Sequence, residues 1–336
     1  MSDHSVKKKD KGPAGEKIGL RPSSDKSGQD SRKLQKWLHA FEVRTWRSIV
    51  IGTPYFWMFI FFFIPFLIVL KISLAESLMA RPPFSDLFTW AGEAQVSIKL
   101  VFDSYLILLE DELYIGAYLN SLRIAFVSTL CCLIIGYIIA YGIARSSPAR
   151  RNILLLLVIL PFWTSFLLRV YAWMGLLANH GVINNLLIAI GIIDKPIQMM
   201  YSDIALYFVF VYSYLPFMIL PLYANLEKLD ATLNEASADL GAKPMTTFLT
   251  ITLPLSVPGI IAGCMLVFIP ATGEFVVPTL VGGPDSLMIG RMLVDDFFAN
   301  RDWPLASSVA VVLLILLVFP FMLYHNYSSK LEKRSR

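Results

Sequence analysis

The chain has 336 residues, of which 56% are hydrophobic and only 16% are charged, with a net charge of +4. Soluble domains are about 45–50% apolar and about 25% charged, so this composition excludes an ordinary soluble domain and predicts an integral membrane protein. The three cysteines, Cys131, Cys132 and Cys264, lie in apolar runs and suggest no disulfide framework, and none of the four histidines has metal-site spacing.

The first 48 residues are polar and basic, with twelve Lys and Arg against six Asp and Glu. Such a segment cannot bury enough apolar surface to fold alone. It has no short apolar core followed by a small-residue cleavage site, so it does not match a signal peptide. We predict a largely disordered basic cytoplasmic tail over residues 1–48.

Six apolar runs are long enough to cross a bilayer, which takes about 20 mostly apolar residues. They cover residues 49–70, 124–143, 153–170, 204–223, 254–271 and 305–324. A seventh run, 181–193, is shorter and contains Asn184 and Asn185. We predict that it forms a short helix on the membrane surface or within the bundle. The predicted domains are the tail, a transmembrane domain over 49–324 and a basic C-terminal tail over 325–336.

The distribution of Lys and Arg predicts the orientation, because cytoplasmic segments carry an excess of them. With the N-terminus in the cytoplasm, the inside segments hold most of the 29 basic residues, and the short connection with Arg145, Arg150 and Arg151 lies inside. A seventh span would put the basic C-terminal cluster outside. The sequence therefore predicts six spans with both termini in the cytoplasm. The acidic outer segment 71–123 is predicted either to form small elements that meet a soluble partner or to be a solvated loop.

The connection between the fourth and fifth spans has the pattern of an amphipathic helix. Apolar residues recur on one helix face, at Leu226, Leu229, Leu233, Ala236 and Leu240. Asp230 suits the N-cap, and Gly241 suits the left-handed position that ends a helix. Pro244 suits the first turn of a second helix that leads into the fifth span. The pattern predicts a compact helical knob on the cytoplasmic face.

No G-x-x-x-x-G-K-[ST] pattern occurs in the chain. That pattern forms the phosphate-binding loop of many ATPases. We therefore expect that this chain does not hydrolyse ATP by a P-loop of its own.

The knob also carries a specific motif, made of Glu235-Ala236-Ser237, then Gly241, then Ile251, Leu253 and Pro254. It resembles the "EAA" loop of the permease subunits of ATP-driven (ABC-type) importers, which reads E-A-A-x-x-x-G and then I-x-L-P. Only Ser237 departs from it, as one small residue for another. The resemblance implies that these residues form a coupling helix that lies in a groove of the ATPase subunit.

Further stretches are similar to the polyamine (putrescine/spermidine) branch of these permeases, nearest its putrescine members. They are residues 160–173, 215–218, 258–263 and 300–304. The likeness covers about residues 49–325 and leaves out the basic N-terminal tail.

The resemblance implies an all-α integral membrane protein, a six-helix type I ABC importer bundle in a bacterial inner membrane. It implies two ATPase subunits that use ATP and magnesium, a second homologous permease and a soluble substrate-binding protein as partners. We expect no cofactor, metal, catalytic residue or nucleic acid for this chain itself, and no covalent chemistry.

A polyamine is a chain of ammonium groups, so its pathway needs carboxylates or aromatic rings. Glu274 lies at the outer end of the fifth span, and a carboxylate near membrane depth is a functional candidate. Trp163, Tyr171 and Trp173 are candidates for ring faces in the pathway, although an aromatic belt at the membrane interface is the more common reason for such residues. Arg169 lies at the same depth. Either the lining of the pathway is not purely anionic there, or Arg169 pairs with a carboxylate.

Gly259 and Gly263 form a G-x-x-x-G pattern on the fifth span. Small residues let two membrane helices approach closely, so we predict a packing face. The same face is also a candidate contact with the second permease.

Two other classes of protein compete with this interpretation. An ion-coupled secondary transporter of a small organic cation often has two similar halves and carboxylates at mid-membrane. This sequence shows no half-to-half repeat and no Asp or Glu inside the six spans. A membrane-embedded enzyme would need a clustered set of catalytic side chains in the spans, and the sequence has none.

Overall fold

The structure is a computed structural model that describes residues 49–90, 96–230, 232–284 and 286–334. The predicted tail over residues 1–48 lies outside the described residues. The described residues fall into two compact units, with the boundary between Pro65 and Phe66.

The described chain is helical except for one short hairpin of two strands. In chain order the elements are α1 (Ile49–Ser73), β1 (Phe88–Trp90), β2 (Val96–Ile98), α2 (Asp103–Glu110), α3 (Glu112–Ala144), α4 (Pro148–Ile159), a 3-10 turn (Leu160–Trp163), α5 (Phe166–Leu177), α6 (Val182–Ala189), α7 (Asp203–Leu226), α8 (Thr232–Asp239), α9 (Pro244–Thr272), α10 (Val276–Val281), α11 (Ile289–Val294) and α12 (Trp303–Arg334).

Five helical stretches of the described chain are long and apolar enough to cross a membrane. They are α1, α3, the stretch Phe166–Ala189 that joins α5 and α6, α7 and α9. The apolar part of α12, Trp303–Val318, is a shorter sixth. The helix itself continues to Arg334, so it runs past the predicted end of the last span at residue 324.

Three helices, α3, α7 and α9, form the centre of the second unit. Arg123 near the start of α3 pairs with Asp203 at the start of α7, and Cys132 further along α3 lies 3.7 Å from the carbonyl oxygen of Val211. These two helices therefore run parallel. Helix α9 runs antiparallel to them, because Gly259 of α9 lies against Asn225 of α7, whereas Gly263, further along α9, lies against Met218, which is earlier in α7.

The parallel arrangement fixes how the chain connects α3 to α7. If both parallel helices cross a membrane, the chain between them must make a net single return crossing, and the segment from α4 to α6 is the part of the chain that lies between them. Helix α6 has eight residues, or about 12 Å at 1.5 Å per residue, against a hydrocarbon core of about 30 Å. The 181–193 run therefore contains a helix that is too short to cross a bilayer by itself.

The predicted third span, 153–170, is wrong as a single helix. Helix α4 ends at Ile159, a 3-10 turn follows, and the chain is extended at Thr164 and Ser165 before α5 begins. Pro161 has no N–H for the α-helical ladder, which accounts for the change from α-helix to a 3-10 turn, and the backbone leaves the helical region at Thr164.

Met218 of α7 fills a space between two glycines on neighbouring helices. A Cβ on Gly136 of α3 would lie 2.8 Å from Met218 Cγ, and one on Gly263 of α9 would lie 2.7 Å from Met218 Sδ. A Cβ on Gly259 would lie 2.7 Å from the Cβ of Asn225. The G-x-x-x-G face of α9 therefore lies against α7 of the same chain.

Candidate coupling loop and translocation residues

Helix α8 begins at a carboxylate cap. The Oδ1 atom of Asp230 accepts a hydrogen bond from the Thr232 N–H at 3.0 Å. This bond and one from the Thr232 side chain hold the pKa of Asp230 below its usual value. The cap starts the helix at the place that the sequence pattern predicts.

Helix α8 ends in a Schellman motif at Gly241, whose φ is +78°. The Gly241 N–H donates to the Ala238 carbonyl at 2.8 Å, and the Ala242 N–H donates to the Ser237 carbonyl at 3.1 Å. A left-handed backbone is nearly free for glycine and unfavourable for other residues. The turn sends the chain directly into α9 at Pro244.

Ser237, the one departure from the motif, ties the two arms of the knob together. Its side chain is buried, and its hydroxyl is hydrogen-bonded at 2.8 Å to the Thr247 hydroxyl in the first turn of α9. Alanine at this position has no hydroxyl for such a bond.

The predicted apolar face of the knob divides into a buried part and an exposed part. Leu226 is buried and Leu229 packs against the core. Leu233 and Leu240 are exposed, Leu240 to 88%, and Glu235 and Ala236 are exposed beside them. The remaining motif residues lie on α9 rather than on the knob, with Ile251 and Leu253 half-buried and Pro254 exposed. The knob therefore presents apolar and acidic side chains on its surface.

Two sets of contacts anchor the knob to α3. With the Asn234 amide oxygen turned toward Arg145, both guanidinium ends of Arg145 donate to it. Phe248 meets the rings of Tyr137 and Tyr141 edge-on, with centroids 5.6 Å and 6.2 Å apart. These contacts join the knob and the start of α9 to the end of α3.

Arg151 closes the same end of the bundle. It donates to Glu227 at 2.7 Å and to the Ala144 carbonyl at 3.1 Å, which joins the start of α4 to the ends of α3 and α7. From the sequence, Arg145 and Arg151 are recognisable only as markers of membrane orientation. Nothing in the local pattern indicated Asn234 or Glu227 as their partners.

Glu274 is hydrogen-bonded on both carboxylate oxygens. Oε2 accepts from the Tyr214 hydroxyl at 2.6 Å, and Oε1 accepts from the N–H groups of Phe275 and Val276 at 3.1 Å and 2.9 Å. Gly290 packs so closely here that a Cβ on it would lie 2.6 Å from the Glu274 carbonyl oxygen. The carboxylate therefore links the end of α9 to α7 and to the start of α10.

The three candidate aromatic residues do not share one environment. Trp173 packs against Phe208 and Tyr212 of α7, with centroids 6.1 Å and 5.4 Å away. Trp163 and Tyr171 are exposed, to 73% and 54%. Trp173 is thus a packing residue in this conformation, while the other two rings are accessible.

The other end of the bundle holds a buried carboxylate that the sequence analysis did not select. Asp296 accepts from the Tyr114 hydroxyl at 2.8 Å and from the Asn300 side chain at 3.0 Å. Burial raises its pKa, and these two hydrogen bonds oppose the rise. Its neighbour Asp295 in sequence is exposed, so the local pattern did not distinguish the two. Among the described residues no group of three His, Cys, Asp or Glu side chains is placed to hold a metal ion.

The chain matches a family described as the binding-protein-dependent transport system inner membrane component, over residues 132–333. The chain belongs to this family. The match includes the C-terminal part of α3, all of α7 and α9, the knob and most of α12, so the part of the second unit from residue 132 onward matches an inner-membrane transport component.

Relatives of this transport component extend the match toward the N-terminus. This chain is 39% identical over 290 residues to the spermidine/putrescine transport system permease protein PotB of Salmonella typhimurium, and the alignment covers 86% of this chain and 96% of the relative. It is 39% identical over 280 residues to PotB of Escherichia coli, covering 83% and 96%. The inner membrane ABC transporter permease YdcU of Escherichia coli is 36% identical over 213 residues, covering 59% and 67%.

Two solved structures share the fold of the transport component. One is a bacterial ABC transporter involved in the import of the acidic polysaccharide alginate, with a TM-score of 0.63 at 18% identity over 87% of this chain and 99% of that one. The other is the alginate transporter in complex with a periplasmic protein bound to an alginate pentasaccharide, with a TM-score of 0.62 at 18% identity over 84% and 94%. The fold is therefore that of ABC importer permeases.

Proposed function

We propose that this chain is the permease subunit of an ATP-driven importer that moves polyamines into the cytoplasm. The observation that carries the proposal is the knob, whose exposed surface includes Glu235 and Leu240 and whose base is fixed to α3, α7 and α9. A partner subunit can move the helices of a bundle if it binds an exposed segment that is attached to those helices, and the knob is such a segment.

The substrate class comes from the relatives. Permeases that share 36–39% identity over most of their length are named for both spermidine and putrescine. Their names do not favour putrescine alone, so the proposed substrate is the polyamine class. Ring faces and carboxylates suit such cations, and Trp163, Tyr171 and Glu274 are the candidates for contacting them.

The proposed partners follow from the family. Two ATPase subunits use ATP and magnesium, and their closure moves α8. A second homologous permease completes the pathway, and a soluble binding protein delivers the polyamine from outside. We place the knob and both termini in the cytoplasm, which agrees with the basic residues near the knob. Hydrolysis then returns the bundle to its inward-facing state.

The test is reconstitution of the complex. The tagged chain is purified with the subunits that accompany it and placed in vesicles, and uptake of radiolabelled putrescine and spermidine is measured. We expect uptake that requires ATP and the binding protein and that survives ionophores. Uptake that needs an ion gradient and not ATP would support the ion-coupled transporter instead.

A further inference from the structure

Arg169 lies one turn into α5 and contacts two aromatic rings. Its Cζ atom is 5.2 Å from the ring centroid of Phe162 and 5.6 Å from that of Phe166. Both distances are within the range of about 6 Å in which a cation is attracted to a ring face. Phe162 belongs to the 3-10 turn and Phe166 starts α5, so the interruption of the third span creates this ring-faced site.

The guanidinium group has little else to stabilise its charge. Its Nε and Nη1 atoms are shielded from solvent and have no hydrogen-bond partner among the residues that the structure describes. None of the ion pairs found in that part of the chain includes Arg169. A charge at membrane depth is normally paired, because its desolvation is unfavourable. The rings of Phe162 and Phe166 therefore act as its counterpart.

The ring-faced site is connected to the candidate pathway carboxylate. The rings of Phe162 and Phe217 are nearly perpendicular, with centroids 5.1 Å apart, and the centroid of Phe217 is 6.2 Å from that of Tyr214. Tyr214 donates to Glu274. A continuous row of aromatic side chains thus leads from Arg169 to Glu274.

We propose that Arg169 is a tethered cation that fills a ring-faced site which otherwise holds an ammonium group of the substrate. The inference rests on the proposed function, because the site takes part in transport only when the substrate is an alkylammonium cation. A movement that draws the guanidinium away exposes the rings to the passing cation. Its return displaces that cation, so the arginine acts against retention of substrate in the permease.

Three substitutions separate the charge of Arg169 from the space that it fills. Arg169→Ala vacates the rings, Arg169→Met removes the charge but fills the space, and Arg169→Lys keeps a cation. The assay is binding of radiolabelled putrescine to the purified complex in nanodiscs without the binding protein. We expect binding about tenfold tighter for Arg169→Ala than for wild type, and no gain for Arg169→Lys or Arg169→Met. Arg81→Ala, at an exposed arginine of another segment, is the matched control and should leave binding unchanged.

Several results would overturn the inference. Equal binding by Arg169→Ala and wild type would mean that the rings do not accept the amine. An equal gain in Arg169→Met would assign the effect to lost repulsion rather than to vacated rings. Loss of the other subunits from Arg169→Ala would make the arginine an interface residue. Failure of wild-type uptake, in contrast, contradicts the proposed function and is measured separately.

Discussion

Gly241 sets the direction in which the knob projects. Valine at this position meets no atom within 4 Å of its Cβ, so it introduces backbone strain of about 1 kcal/mol or more without a collision. We expect Gly241→Val to insert at normal levels, while polyamine uptake and substrate-stimulated ATP hydrolysis fall. Co-purification of the ATPase, hydrolysis and uptake are measured on the same membranes.

Gly191 offers a matched control for that experiment. Its φ is +75°, and a Cβ there also meets no atom within 4 Å. Gly191→Val therefore adds the same strain after α6, far along the chain from the knob, and should leave transport near normal. Equal loss of transport in both variants would show that backbone strain reduces transport wherever it is introduced. Full transport activity of Gly241→Val would show that the loop only connects two helices.

Glu274 combines a charge with a positioning role, and two variants separate them. Glu274→Gln removes the charge and keeps an acceptor, whereas Tyr214→Phe removes only the hydroxyl that donates to it. We expect Glu274→Gln to slow polyamine uptake several-fold without loss of assembly, and Tyr214→Phe to have a smaller effect. If Tyr214→Phe slows uptake as much, Glu274 acts by holding α7; unchanged uptake in Glu274→Gln removes it from the pathway.

Residues with local signals were easier to predict than residues whose partners are distant in sequence. Asp230 and Gly241 were correctly placed because caps and left-handed turns depend on neighbouring residues. The bonds of Arg145 to Asn234 and of Arg151 to Glu227 were not predicted, since each joins residues from different helices. The charge pattern of a sequence shows that charged residues are present, but it does not show which partners they contact.

Among the helical elements, the packing of α7 against α9 depends on small residues. We expect Gly263→Val to force Met218 and α7 apart and to destabilise the subunit by about 1–3 kcal/mol. The measurement is the level of folded protein in the membrane and its melting temperature in detergent.

Gly142→Val is the matched control for this packing. Gly142 also lies inside a helix, and a Cβ there meets no atom within 4 Å. This variant should lose little stability. Similar losses at both positions would attribute the effect to helix propensity rather than to contact with Met218.

The third crossing shows what a hydropathy pattern leaves out. The apolar run 153–170 has the composition of a span, yet it contains Pro161 and the Thr164-Ser165 pair, where the helix stops. Apolar content reports that a segment is in the membrane, whereas backbone hydrogen bonding decides whether it is one helix. The prediction therefore recognised a membrane segment and missed its interruption.

At the scale of the whole molecule, the parallel packing of α3 and α7 leads to a topology prediction. Single cysteines at Ser147 and Leu233, in a variant without the three native cysteines, should react with a membrane-impermeant reagent from the same side. A cysteine at Lys195, between α6 and α7, should react from the opposite side. Labelling of the first two positions from opposite sides would contradict the six-span arrangement.

That the chain consists mainly of long apolar helices followed from composition and length, because burial in lipid requires long apolar segments. Which helices touch was not predictable, because apolar residues cover all sides of α3 and α7 and specify no preferred neighbour. The outer segment 71–123 contains small elements, as one of its two predicted forms required, but the hairpin of β1 and β2 was not identified, since the sequence has no alternation long enough to indicate strands.

The position of Met218 between Gly136 and Gly263 has a consequence for how this lineage can change over generations. The three residues belong to three different helices. The Met218 side chain occupies the space that a side chain on Gly136 or on Gly263 would need. A larger residue at either glycine is tolerable only after residue 218 has become smaller, so the order of substitutions matters. In an alignment of related sequences, we expect positions 136, 218 and 263 to be substituted together or not at all.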